Sequence, residues 1–264
     1  MEERSRRVEP VPEDLDPDEV FDPGSMARPG LSLWLLAGPC LAVAGLLGWL
    51  RLLNGVDKAS VSVFSWAPFM ADLVLLVAFL LTHSMLSRGF GRRWLNRPFG
   101  PEAERPLFIL VTGITLATLA LSWETCGPLL WKHEGGMKIL ARALQSTGLL
   151  LAAWAIFVAG TGRFLGLPHL KALETGRQAP RPEFVALPPF SWSRQPVKLG
   201  FLLLLLGMPA VTVDRLLLGG LLSLWFFASA PWGERDAELR FGEGYADYRE
   251  RTPRWIPRIR LRDS

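Results

Sequence analysis

The sequence predicts an all-α, polytopic membrane protein with about six transmembrane helices, the last two forming a tight hairpin and both termini cytoplasmic. Three observations predict it. Half of the 264 residues are hydrophobic and the mean hydropathy is +0.24, high for a water-soluble chain. The apolar residues come in blocks of about 20, the length needed to cross a hydrocarbon core. Arginines crowd every second inter-block segment, as the positive-inside rule requires of a multi-pass topology.

The blocks follow in order. Residues 1–29 are Pro-rich and acidic, with Glu2, Glu3, Glu9, Glu13, Asp14, Asp16, Asp18, Glu19 and Asp22. Such a segment lacks the apolar surface to order itself and reads as a disordered cytoplasmic tail, a possible contact for a protein partner. Residues 30–264 then form one membrane domain, with its motifs concentrated in 193–258. The first span is expected over Leu31–Leu53, the second over Trp66–Leu86, the third over Pro106–Trp123 and the fourth over Ile139–Gly160. The fifth is expected over Val197–Val213 and the sixth over Leu216–Trp232, separated only by Asp214 and Arg215. Between the fourth and fifth, residues 161–193 carry Pro168, Pro180, Pro182, Pro188 and Pro189, which break regular structure.

Charge sets the orientation. Arg88, Arg92, Arg93, Arg97 and Arg105 follow the second span. Arg163, Lys171, Arg177, Arg181 and Arg194 follow the fourth, and eight arginines from Arg235 to Arg262 follow the sixth. The alternate loops hold little beyond Lys58, Lys132, Lys138 and Arg215. The rich loops are therefore placed in the cytoplasm, and the chain in an inner membrane. The net charge of +4 and pI near 9.4 belong to these loops. Membrane lipid explains them better than nucleic acid, which is not expected as a partner. Trp34, Trp66, Trp123, Trp131 and Trp232 lie near span ends, where amphipathic rings settle. Cys40 and Cys126 have no partner at ligand spacing and read as small buried hydrophobes, so no metal site is expected.

The densest polar constellation pairs Arg194–Gly200, on entry to the last hairpin, with Glu234–Tyr248, on exit from it. A hairpin brings these segments together at one membrane face. Glu234 ends an apolar helix, an expensive position for a carboxylate unless it is paired or functional. Arg194 and Lys198 are the expected cationic partners. A purely anchoring role, with charges snorkelling at helix ends, accounts for the same residue types.

Residues 193–257 resemble the C-terminal motif region of the isoprenylcysteine carboxyl methyltransferase superfamily. That family carries Arg-His-Pro-x-Tyr-x-Gly before a helical hairpin, and here the segment reads Arg194-Gln195-Pro196-Val197-Lys198-Leu199-Gly200. After the hairpin the family shows Glu-Glu and Phe-Gly-x-x-Tyr-x-x-Tyr. Here Gly233-Glu234 is followed by Phe241-Gly242, Tyr245 and Tyr248 in register, with Thr252-Pro253-Arg254-Trp255-Ile256-Pro257 closing the region. Further upstream, His83-Ser84, Glu104-Arg105 and Phe164-Leu165-Gly166-Leu167 resemble the methanethiol S-methyltransferase and NnrU-like branch.

The resemblance implies S-adenosylmethionine as cofactor and a small thiol or lipid-soluble molecule as methyl acceptor. It implies catalytic roles for Glu234 and Arg194, and cofactor contacts from Gln195, Pro196, Lys198, Gly200, Tyr245 and Tyr248. A carboxylate and aromatic faces suit a sulfonium, and arginine suits the cofactor's own carboxylate. Gln195 replaces the motif histidine, Lys198 the tyrosine and Gly233 the first glutamate. These departures leave open a non-catalytic accessory protein with a degenerate cofactor site. Histidine-dependent haem isomerases also resemble this half, which makes His83 an acceptor-site residue or a haem ligand; a hydrogen-bonded helix-end histidine is the plainer reading.

Overall fold

The computed structural model describes residues 28–54, 62–88, 91, 100–178 and 184–256. The predicted acidic tail falls on residues 1–27, outside that description; the chain is helical from Pro29 onward. A short α1 (Pro29–Leu35) leads into α2 (Ala37–Asn54), and the two together form one apolar span. Pro29 suits a helix start because its missing N–H is not needed there. Then come α3 (Trp66–Leu86), α4 (Glu104–Ser122), strand β1 (Leu129–Lys132) and α5 (Gly135–Val158). Two short helices, α6 (Thr161–Phe164) and α7 (Leu167–Thr175), occupy the first part of the Pro-rich segment. The chain closes with α8 (Pro196–Leu206), strand β2 (Ala210–Thr212), α9 (Val213–Phe241) and α10 (Glu243–Arg251).

Five helical segments among the described residues are long and apolar enough to cross a bilayer: 29–54, α3, α4, α5 and α9. The sixth predicted span is built differently. Eleven-residue α8 rises about 16 Å, roughly half a hydrocarbon core. Gly207 and Pro209 stop it, the proline because it cannot continue the backbone ladder. The chain then runs extended through β2, which pairs antiparallel with β1, Trp131 facing Val211. Asp214 and Arg215, expected as the hairpin linker, instead form the first turn of α9 and are buried. An acidic residue there complements the positive end of the helix dipole.

Packing is closest in two helix pairs, α2 with α4 and α5 with α8. In the second, Gly148 and Gly200 face each other; a Cβ on Gly200 would lie 2.6 Å from the Gly148 carbonyl oxygen. Small residues of this kind let membrane helices approach backbone to backbone. The main core gathers Trp49, Leu53, Leu76, Phe79, Leu204, Leu218 and Phe226 from α2, α3, α8 and α9. Most of the outer surface is apolar, with Leu121, Phe157 and Leu224 among the exposed side chains. Cys126 is buried as expected, and burial pushes its thiol up to about 11. Cys40 lies instead on the exposed face of α2, because only one side of that helix meets α4.

Candidate functional site

The element ends at Leu86, Glu104, Val158, Pro196 and Phe241 share one end of the bundle, and among the described residues Arg88, Arg105, Arg163, Arg194 and Arg254 lie there. At this end the chain builds a polar knot and, directly beside it, a cavity.

The knot is made by three segments distant in sequence. Glu234, 4% exposed, sits near the C-terminal end of α9. Arg254 binds it with both arms of its guanidinium, Nε to Oε1 at 2.9 Å and Nη2 to Oε2 at 2.8 Å. Such a bidentate fork is the strongest arrangement available to this pair. That bond raises the Arg254 pKa above its ordinary value. Arg194 approaches from the other side, its Nε 3.2 Å from Glu234 Oε1 but out of line for a hydrogen bond. Backbone bonds fix the frame: Arg194 N–H donates to the Pro253 carbonyl at 3.0 Å, and the Ser193 hydroxyl to the Arg254 carbonyl at 3.0 Å. Sequence reasoning expected Arg194 and Lys198 as partners of Glu234. The structure keeps Arg194, adds Arg254, and turns Lys198 Nζ to the Ser229 hydroxyl at 3.1 Å. Ser229 lies five residues before Glu234 on the same helix, about 7.5 Å further into the bundle, and Lys198 on α8 is level with it.

Tyr245 and Tyr248 belong to α10, which follows the α9 break at Gly242, a residue with φ of +58° that glycine adopts without strain. Tyr245 is buried, and its ring lies 5.6 Å from that of Tyr248. Tyr248 donates to the Phe190 carbonyl at 2.7 Å. Burial raises both phenols above their usual pKa, so each stays a hydrogen-bond donor.

The cavity, about 520 Å³, lies between α2, α3, α4, α8 and α9. Arg194, Gln195, Pro196 and Lys198 line one part, and Arg105 and His83 reach it from the N-terminal half. The rest is apolar and largely aromatic: Phe79, Phe108, Phe201, Trp225 and Phe226. His83 is ringed by Phe108 at 5.1 Å, Trp225 at 5.4 Å and Phe79 at 5.7 Å, with its Nδ1 3.4 Å from the Thr112 hydroxyl. Arg105 donates to the Phe164 carbonyl at 2.8 Å, which ties α4 to the Pro-rich segment over the cavity.

The predicted site residues thus divide. His83, Arg194, Gln195, Pro196 and Lys198 line the cavity; Glu234, Tyr245 and Tyr248 form the knot and its aromatic flank. Only Arg194 belongs to both. Gly200 packs against α5. Sequence reasoning missed Arg254, Thr112 and Trp225, and gave Arg105 no site role. The Thr-Pro-Arg254 ending was visible as a motif, but nothing local to it names a carboxylate partner. His133 lies at the far end, its N–H bonded to the Pro209 carbonyl, and His169 lies on α7. Among the described residues no group of three or more His, Cys, Asp or Glu side chains is placed to hold a metal ion.

Fold and site together define a helical, multi-pass membrane protein with a partly open, largely apolar cavity at one end, edged by Arg105, Arg194 and Lys198. Its homologues carry names. Methanethiol S-methyltransferase 1 of Bradyrhizobium diazoefficiens is 24% identical over 187 residues, covering 70% of this chain and 66% of the relative. Methanethiol S-methyltransferase of Mycobacterium tuberculosis is 25% identical over 214 residues, 81% of this chain and 87% of the relative. Nurim of Mus musculus is 29% identical over 189 residues, 67% of this chain and 68% of the relative. The chain is thus a homologue of methanethiol S-methyltransferases, as the motifs indicated, and also of Nurim, which the motifs did not name. No protein-family model matches it, and no solved structure matches it.

Proposed function

We propose that the chain is an integral membrane methyltransferase that uses S-adenosylmethionine and methylates a small thiol, methanethiol or a similar lipid-soluble acceptor, within the cavity. One observation carries the reading: the first-motif segment Arg194–Lys198 and the N-terminal residues His83 and Arg105 meet in a single largely aromatic cavity. The residues present fit the cofactor. Arg194, paired with Glu234 at 3.2 Å and bonded through Nη1 to the Arg249 carbonyl, lines the cavity and presents a cation suited to the cofactor's carboxylate. Aromatic faces of Phe201, Phe79 and Trp225 suit a sulfonium. When bound, S-adenosylmethionine supplies an electrophilic methyl group on a cationic sulfur.

In this reading Arg194 and Lys198 hold the anionic end of the cofactor, and Gln195 and Pro196 shape the wall beside it. The apolar walls exclude water and keep the reacting atoms in line, which is most of what methyl displacement requires. Arg105 and Lys198 favour an acceptor that reaches the cavity as thiolate, the nucleophilic form of a thiol. His83 meets the acceptor. Glu234 acts through Arg194, as a positioning residue whose charge is shared with Arg254, and Tyr245 and Tyr248 brace α10 against the knot. The arginine-rich end faces the cytoplasm, where the cofactor is made, and the membrane is an inner membrane.

Calorimetry of S-adenosylmethionine on detergent-solubilised protein tests this, with headspace detection of the methylated thiol. Micromolar binding, lost in Phe201→Trp, is expected. No binding at millimolar cofactor to folded protein overturns it.

A second reading, a non-catalytic accessory protein, is favoured by one observation: both Glu234 oxygens are taken up by Arg254, and Lys198 brings a further cation to a site for a cationic ligand. It predicts no binding by the natural chain, and recovery of binding in a Gln195→His, Lys198→Tyr variant that restores the motif. The haem reading rests on His83 and predicts a Soret band abolished by His83→Ala.

A further inference from the structure

A second hollow lies on the outside of the bundle. It is a crevice of about 590 Å³ between α3 and α9, walled by Leu80, Leu81, Met85, Leu221, Leu224 and Ala228. Leu81, Met85 and Leu224 are 57%, 53% and 66% exposed, so the crevice opens outward, where the bilayer lies. Its back is closed. Trp225 donates from its indole nitrogen to the Ser84 hydroxyl at 2.8 Å, and the same ring borders the central cavity, 5.4 Å from His83. The crevice is therefore a groove alongside the cavity rather than an entrance to it.

One end of this groove is cationic. Arg88, just past the end of α3, places its guanidinium 4.1 Å from the centroid of the Trp232 ring, and both residues line the groove. Arg235 is exposed three residues beyond Trp232, on the same face of α9. Of the nearby carboxylates, Glu234 turns into the knot with Arg254 and Glu238 to Arg249, which leaves Asp236 as the one acidic side chain next to Arg235 on this stretch of α9. Leu221 and Trp232 are eleven residues apart on α9, so the groove runs about 16 Å along the helix, close to the depth of one leaflet's hydrocarbon.

From these features we infer that the groove binds an anionic phospholipid, with one acyl chain against the α3–α9 leucines and the phosphate between Arg88 and Arg235. A guanidinium can grip a phosphate with two parallel hydrogen bonds, and Trp232 lies at the depth of the headgroup boundary. The length of the apolar groove fits a chain, and the paired arginines distinguish an anionic lipid from a zwitterionic one. Lipid binding in this groove does not depend on methyl transfer or on a cofactor in the cavity.

Native mass spectrometry of the detergent-solubilised full chain tests it, with phosphatidylglycerol and phosphatidylcholine of identical acyl chains as probes. Phosphatidylglycerol adducts should be retained over phosphatidylcholine by about fivefold or more, the effect of a surface cation on an anionic lipid. The Arg88→Ala, Arg235→Ala double variant should lose that preference, and Ala228→Trp, which fills the groove, should release both lipids while circular dichroism stays unchanged. Equal retention of the two lipids overturns the inference, as does an Arg88→Ala, Arg235→Ala variant that keeps the preference. Displacement by millimolar inorganic phosphate would reduce the site to a bare anion site and overturn the acyl-chain assignment. A dimer mass abolished by Ala228→Trp would assign the groove to a second copy of the chain.

Discussion

The two ends of the bundle both bury charge, and they do so in opposite ways. At the arginine-rich end, Glu234 has each oxygen bonded to Arg254 and a second cation, Arg194, within 3.2 Å. At the far end, Asp72, Asp214, Arg215 and Thr212 are equally buried, yet Asp72 Oδ2, Asp214 Oδ1, Arg215 Nη1 and Thr212 Oγ1 lack hydrogen-bond partners. What holds that end is backbone and aromatic: β1 paired with β2, the Glu124 N–H donating to Asp72 at 3.3 Å, and Trp123 donating to Asp214 at 3.2 Å. The Glu234 network leaves only Arg194 Nε without an aligned partner and is intolerant of losing a member; the far-end set, with four such atoms, tolerates neutralisation. The contrast assigns the structural precision of the molecule to the end that carries the motifs.

The largest expected effect breaks the closed network. Glu234→Ala leaves Arg194 and Arg254 without their shared counter-ion; removal of one partner from a buried ion pair costs about 3 kcal/mol at the low end, which applies here because Arg254 is 39% exposed and water can solvate it. The far end supplies the control: Asp72→Asn should change stability by less than about 1 kcal/mol, since it removes an incompletely paired charge. Thermal unfolding in one detergent measures both. Equal losses at the two sites would erase the distinction. Next in size is Gly200→Ala, whose Cβ would meet Gly148 O at 2.6 Å and Ala152 N at 2.8 Å. Forcing α5 from α8 costs about 1–3 kcal/mol and should widen the cavity mouth, read as a loss of stability together with faster hydrogen exchange in α8.

How much of this was legible in the sequence depended on how local the signal was. The second span, read as Trp66 to about Leu86, matches the helix closely, because an apolar run between polar segments is all a membrane helix needs. The fifth was misjudged in extent because hydropathy counts Ala210–Thr212 as membrane while Gly207 and Pro209 stop the helix. A closer weight on those two residues would have found the break. The meeting of Arg194 with Glu234 followed from hairpin topology alone. Arg254 as bidentate partner did not, because its approach depends on how α10 folds back, which no periodicity encodes. The cavity was the least legible part: His83, Arg105 and Trp225 lie on three helices whose rotation about their own axes is set by packing.

Two smaller effects sharpen the comparison at the arginine-rich end. Tyr248→Phe removes the donor to the Phe190 carbonyl and should cost about 1 kcal/mol, detectable as a small fall in melting temperature. The subtlest is a pH dependence from His169 on α7. Burial and the nearby Arg105 lower its pKa from 6.5 to about 4, so the folded chain holds it neutral where the unfolded chain would protonate it. Between those values the unfolded state binds the extra proton. The stability contributed by a neutral His169 is therefore whole above pH 6.5 and drains away as the pH falls toward 4. Melting temperatures from pH 7.5 to 4.5 should fall more steeply in the natural chain than in His169→Gln. The same slope in both would place the acid sensitivity elsewhere in the bundle and leave α7 without a part in it.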